Sequence, residues 1–277
     1  MLIRVGYELV FDVPVPTPIM FLLYMHPSRH ATLRQGERLV IEPAVEVHEF
    51  TDVFGNRCGL IHAPAGKVRF ANDAIVRDSG LADPVSNSAR QHGVEELPPE
   101  VLQFLLASRY CEVDRMQEIA WDLFARAPMG WAKVQAVCDW CHANVEFGYQ
   151  HARSTKTAYD VYVERKGVCR DFMHLAITFL RCLNIPARYA TGYLGDIGVP
   201  PVDSPMDFSA WFEVYLEGQW WTFDARHNRP RIGRVLMARG RDAVDCALTT
   251  SFGPTTLEKF LVWTDEVEET AATTLSA

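Results

Sequence analysis

The chain is predicted to be an α+β protein in two parts: an all-β, sandwich-like domain over residues 1–90, then helices packed on an antiparallel sheet over residues 91–277. Three patterns predict this. Up to about residue 90, short runs rich in β-branched and aromatic residues alternate with turn signals. Helix-period apolar spacing takes over between Glu100 and Val145 and returns from Cys169 to Leu183. Finally, Ser209–Leu216 and Gln219–Asp224 flank Glu217-Gly218, a strong antiparallel hairpin signal.

Composition narrows the function classes. With 48% apolar and 22% charged residues, the chain has the make-up of a soluble globular protein. A formal net charge of -8 argues against nucleic acid or an acidic membrane surface as partner. Seven cysteines, an odd number without regular spacing in a chain long enough to bury a core, argue against a disulfide framework. Met1–Glu8 lacks a cationic stretch followed by an apolar one, and no run is long enough to span a bilayer, so a cytoplasmic protein is expected.

In the β part, Leu2–Phe11 alternates in part, and prolines 14, 16 and 18 separate it from Ile19–Tyr24. Arg38–Ile41, Val45–Phe50, Cys58–His62 and Lys67–Phe70 follow, with Phe54-Gly55-Asn56-Arg57 the clearest turn. This part is assigned a supporting or substrate-positioning role. The polar, proline-bearing stretch Asp83–Pro99 reads as a linker. Beyond it, Glu100–Ala107, Asp114–Arg126 and Gly130–Val145 read as helices. Cys138 and Cys141 have ligand-like spacing, but no second pair follows at zinc-site distance and both lie on the stripe to be buried, so no metal site is expected. Tyr149–Arg153 reads as a rim loop with a solvated His151, and Thr157–Tyr162 as a short helix.

Gly167-Val168-Cys169-Arg170-Asp171 then places a cysteine in the first turn of a helix that Asn184-Ile185-Pro186 ends. The free N–H groups and positive dipole end of that turn favour an anion, and Arg170 adds a cation. Cys169 is therefore expected to ionise more readily than a free thiol and to act as a nucleophile. A lone cysteine is more often a small buried filler; here the surrounding residues single it out. His174, five positions on, is rotated off the cysteine's face and reads as a packing residue. Ala187–Leu194 reads as a strand with Tyr189 and Tyr193 on one face.

The order G-V-C-R-D-F-M-H-L, a helix, then I-P-A-R-Y-A-T-G-Y resembles the core of the transglutaminase-like cysteine enzymes, a superfamily that includes amidases and proteins described as cysteine proteases. The resemblance implies a papain-like transglutaminase core, often preceded in bacteria by a β-domain, with Cys169 as nucleophile. It also implies a triad completed by a His and an Asp on two following strands. Asp224 matches the Phe-Asp that ends the second strand of the family pattern. The first strand departs from it: Ser209 stands where His is expected before Ala210-Trp211. A hydroxyl cannot serve as the imidazole base near neutral pH. A trial register with Tyr215 opposite Trp220 puts Glu213 opposite Thr222 and sets Ser209 diagonal to Asp224 on one face, so Ser209 occupies the histidine's slot.

His227 is the nearest replacement in sequence. A strand continuing through Asp224 would point it to the opposite face; a bend after Asp224 would bring it round. Tyr193 is a candidate oxyanion donor beside the Cys169 N–H, and Trp211 a candidate oxyanion or substrate contact. Gly233–Asp245, Leu248–Ser251 and Leu257–Thr264 read as further strands and turns of the second part, whose clustered arginines include candidates for a substrate carboxylate. Gly195–Pro205 is an irregular stretch able to overhang a cleft, and Glu266–Ala277 is expected to fray.

Two functions stand side by side. One is cysteine-dependent acyl transfer on an amide or peptide bond of a peptide or protein substrate through a thioester, with the resemblance favouring hydrolysis over cross-linking. The other is a peptide- or protein-binding module that kept the cleft and cysteine but lost the base. A calcium-dependent cross-linker finds no support, since the chain lacks an EF-hand loop or acidic ligand cluster, and no cofactor is expected.

Overall fold

The computed structural model describes residues 1–201 and 205–268. The middle of the irregular stretch before Pro205, and most of the tail expected to fray, lie outside these described residues.

The N-terminal strands are β1 (Leu2–Val13), β2 (Thr17–Phe21), β3 (Leu33–Gln35), β4 (Val40–Glu42), β5 (His48–Thr51), β6 (Arg57–Ala63) and β7 (Gly66–Arg77). Along β1, Ile3, Val5, Tyr7, Leu9, Phe11 and Val13 are all buried, a period-two face. That face shares one apolar core with Ile19 and Phe21 of β2 and with Val68 and Phe70 of β7. At the Phe54–Arg57 turn the Asp52 carboxylate accepts the N–H groups of Phe54 and Asn56, and Gly55 takes a φ of 81°, which glycine adopts without steric cost.

The stretch read as a linker is instead fastened down. The Asp83 carboxylate accepts the Arg231 N–H and the Arg234 guanidinium, each at 2.9 Å, and the Ala89 carbonyl accepts the Trp131 N–H. There follow α1 (Pro99–Leu102), α2 (Val113–Phe124), α3 (Trp131–Asn144), β8 (Glu146–Phe147), α4 (Ala158–Glu164), β9 (Lys166–Gly167) and α5 (Cys169–Cys182). The core sheet is built from β10 (Ala187–Tyr193), β11 (Ser209–Leu216), β12 (Gln219–Phe223) and β13 (Val235–Gly240), in the antiparallel order β12-β11-β10-β13.

Helix α5 is the hub, packed on α2, α3, α4, β10 and β11. Its apolar stripe predicts an amphipathic helix, yet the polar positions Asp171, His174, Thr178 and Arg181 are buried as well. Each finds hydrogen-bond partners, near or distant in the chain. Arg181 donates to the carbonyls of Ala187 (2.9 and 3.1 Å) and Leu106 (3.0 Å), and Thr178 donates to the His174 carbonyl (2.7 Å). Backbone oxygens thus replace the water a buried guanidinium gives up, whose loss without replacement costs several kcal/mol.

Two final strands, β14 (Thr249–Ser251) and β15 (Thr256–Val267), correct the expected strand membership. They do not join the core sheet. β14 pairs with β2, and β15 pairs with β1 along nearly its whole length, giving sheet orders β14-β2-β6-β5 and β15-β1-β7-β3, with β4 also on β7. The reason is apolar matching: β15 places Val262 in the core of the N-terminal sheets, and Tyr193, Val235 and Met237 of β10 and β13 join that core too. Burial is therefore continuous from one part of the chain to the other.

Candidate active site

The start of α5 is fixed by its own sequence. Val168 is extended (φ −101°, ψ 175°), and the Asp171 carboxylate reaches back to accept the Val168 N–H at 3.0 Å, one half of a capping box. Gly167 leaves room for it, since a Cβ there would lie 2.7 Å from that of Asp171. Cys169 is consequently held in the first helical turn, partly exposed.

Its ionisation runs against the expectation from helix position. Burial pushes the Cys169 thiol up to about 11; the Asp207 carboxylate pushes the same way, while Arg226 and the N–H groups of Arg170 and Ala210 oppose. The helix-start argument has the right sign, but the lost hydration of a thiolate outweighs it here. Asp207→Asn removes a charge that disfavours the thiolate and is expected to raise the rate of Cys169 alkylation by iodoacetamide at pH 8 several-fold. An unchanged rate would mean that Asp207 does not act on the sulfur.

The candidate base lies in the turn after β12. The trial register holds, with Tyr215 on Trp220 and Glu213 on Thr222, but the strand ends at Phe223. Asp224 then starts one helical turn: its carbonyl accepts the Asn228 N–H (2.8 Å), and its Oδ1 accepts the N–H groups of Arg226 (3.0 Å) and His227 (2.9 Å). A helical turn brings residues three apart to one face, and His227 Nδ1 meets Asp224 Oδ2 at 2.9 Å. Helix α3 braces the turn. His142 Nδ1 lies 2.7 Å from the Arg226 carbonyl, and the Asn228 side chain bonds Gln135 and Asp139, each at 2.8 Å.

Asp224 is buried and also meets a cation, Arg234 Nη2, at 3.1 Å. Burial alone would raise its carboxyl, but the His227 hydrogen bonds and the Arg234 charge outweigh that and hold it below its ordinary value. With Asp224 ionised, His227 Nδ1 carries the hydrogen and Nε2 keeps the basic lone pair. His227 and Cys169 line one hollow of about 90 Å³ together with Ser209, Asp207, Arg226 and Arg231. Ser209 thus sits beside the cysteine, its carbonyl accepting the Thr191 hydroxyl at 3.0 Å.

Residues 117–225 match the family described as the transglutaminase-like superfamily. A crystal structure of a "Putative Cysteine Protease" from Cytophaga hutchinsonii is similar at 31% identity over 97% of this chain and 91% of that one, with a TM-score of 0.83. The chain belongs to the transglutaminase-like superfamily. It is also 23% identical to an uncharacterized protein of Mycobacterium leprae over 74% of this chain and 75% of that protein. A second uncharacterized protein, from Mycobacterium bovis, is 31% identical over 36% of this chain and 35% of its own length.

Within this transglutaminase-like fold two candidates move away from the site. Tyr193 is fully buried in the core shared with the N-terminal strands, its ring tilted against Phe208 at 5.3 Å, and lines neither hollow at Cys169. Of the same face of β10, Tyr189 and Thr191 line the groove at Cys169, while Tyr193, at the end of the strand, enters the core shared with the N-terminal strands. Trp211 likewise packs with Ala190 and Leu236 under the Arg234 guanidinium, away from the sulfur. His174 is a packing residue: it stacks on Tyr110 (4.8 Å), and its Nε2 accepts the Ala243 N–H at 3.1 Å. His151 lies 3.4 Å from Glu146 and lines neither hollow, while Tyr149 lines both.

Residues the sequence did not single out are Asp207, Arg226, Asn228 and Arg234. Arg226 and Asn228 flank His227 and could have been found as one unit with it, since an Asp followed three residues later by a polar side chain is a turn-capping pattern. Asp207 and Arg234 carry no such local signal. Cys138 and Cys141 are buried on α3, and burial pushes both thiols up. Among the described residues no cluster of three His, Cys, Asp or Glu side chains is placed to hold a metal ion, and no helix is long and apolar enough to cross a membrane.

Proposed function

We propose that this protein is a cysteine-dependent acyl-transfer enzyme acting on amide or peptide bonds, with hydrolysis as its outcome. One observation carries the reading: Cys169 and His227 share a hollow, and the other nitrogen of that imidazole is bound to Asp224. His227 Nε2 takes the thiol proton as the sulfur attacks the carbonyl carbon and the C=O electrons move to oxygen. N–H groups at the start of α5 stabilise that oxyanion. Collapse of the adduct breaks the C–N bond, and the proton held by His227 goes to the departing amine. Water, deprotonated by the same imidazole, then cleaves the thioester to a carboxylic acid and the free thiol.

A thiol near 11 is neutral at pH 7, so its proton has to be removed in the attacking step. General-base assistance of that kind contributes about 10²–10⁴-fold. The same raised thiol, with Ser209 in the family's histidine slot, is what favours the second reading, a peptide-binding module. Intact-protein mass spectrometry separates the two. Incubation with N-acetylphenylalanine p-nitrophenyl ester is expected to leave an acyl adduct on Cys169 that hydroxylamine removes and that Cys169→Ala does not form. No adduct in the wild type, together with no cleavage of peptide amides, would leave the binding module.

A further inference from the structure

Resting on that reading, we infer that the acyl half of the substrate carries an apolar or aromatic side chain. It lies in the groove that Cys169 lines and His227 does not, between the core and the last two strands. Cys169 stands at the waist between two spaces. One is the small hollow it shares with His227; the other is an open groove of about 740 Å³, within the usual range of ligand pockets. His227 lines the first and not the second.

Proton bookkeeping orients the substrate. The amine leaves with a proton from His227, so the nitrogen side of the scissile bond must occupy the hollow. The carbonyl side, which stays on the sulfur as thioester, must then occupy the groove. The two spaces differ in chemistry accordingly. The hollow alone carries Asp196, Arg226 and Arg231, shares Asp207 with the groove, and suits a polar leaving amine.

The groove is walled by Phe208, Val244, Leu248 and Phe260. Val244 is 49% and Phe260 37% exposed, apolar surface that water covers in the free protein. Phe260 packs edge-on against Phe208 at 5.8 Å, beside Ser209. The cations at the groove have anionic partners already: Arg153 pairs with Glu164 and Asp160, and Arg170 with Asp171. An acidic acyl group would find no unmatched cation there, whereas a phenyl or isobutyl group would cover Val244 and Phe260. A single methylene more or less in an apolar pocket already distinguishes substrates by about 10- to 200-fold.

Active-site-directed chloromethyl ketones read the groove without requiring turnover. N-acetyl-Phe, N-acetyl-Gly and N-acetyl-Glu chloromethyl ketones are compared as alkylators of Cys169, with iodoacetamide as the featureless control. The phenylalanine reagent is expected to label at least tenfold faster than the glycine one and faster still than the glutamate one. Phe260→Ser should reduce that preference severalfold while iodoacetamide labelling stays the same. Equal rates for the three reagents, or a preference untouched in both Phe260→Ser and Val244→Ser, would overturn the inference. Labelling by iodoacetamide but by none of the ketones would overturn it and leave the nucleophile standing. Labelling by neither would remove the nucleophile and the inference together.

Discussion

His227→Gln is expected to lower kcat/KM for amide cleavage by about 10²–10⁴-fold, the usual contribution of a positioned acid–base group. Glutamine preserves a donor for Asp224 but cannot accept the thiol proton at neutral pH. The loss should fall mainly on kcat, because His227 acts on the proton in the transition state and not on the resting substrate. Steady-state kinetics on a peptide amide, with hydroxylamine trapping of the acyl-enzyme, measures this. A drop smaller than about fivefold would place the base elsewhere. Ser209 would then have to be re-examined as the group beside the sulfur.

Asp224→Asn should be the most destabilising single substitution in the site. The buried carboxylate accepts Arg234, the His227 ring and two backbone N–H groups, and the amide cannot meet all of them. Arg234, with its side chain only 7% exposed, would be left with Asp83 as its one close carboxylate. Removing one partner of a buried ion pair costs about 3–5 kcal/mol. For a chain of this size that corresponds to a fall in Tm of about 6–15 °C. Because the folded-state carboxyl is held below its ordinary value, its contribution is complete above the unfolded value of about 4 and is lost only as pH falls through the lower folded one. The stability gap between wild type and Asp224→Asn should therefore not close between pH 5 and pH 8. A gap that closed within that window would contradict the assignment.

The candidate nucleophile's place at a helix start, the helix behind it and the hairpin register are legible in local sequence, because each rests on neighbours within a few residues. Cys169 needed only Gly167 and Asp171, and Tyr215 on Trp220 needed only a two-residue turn. His227 was undecided in sequence because alternation presumes a continuing strand, while the strand stops at Phe223 and Asp224 caps a helical turn. Tyr193 lies apart for a different reason: it ends the strand two residues beyond Thr191, which lines the groove, and there the strand enters the other core. The Cys169 thiol shows the same limit, since the local dipole is visible in sequence and the desolvation that outweighs it depends on how the chain closes around the sulfur.

The pairing of β15 with β1 sets an order of events on the ribosome. β1 and β7 can find each other early, with Leu2 opposite Arg77, but the other edge of β1 waits for residues 256–267. Until those residues emerge, a twelve-residue strand displays an unmatched row of N–H and C=O groups, the kind of edge that captures other chains. Once β15 arrives, Glu8 on β1 joins Arg69 of β7 and Lys259 of β15 at 3.0 Å each, a three-strand ionic seam across the finished sheet. Nascent chains stalled before residue 256 should therefore aggregate, even with every residue of the Cys169–His227 hollow already made.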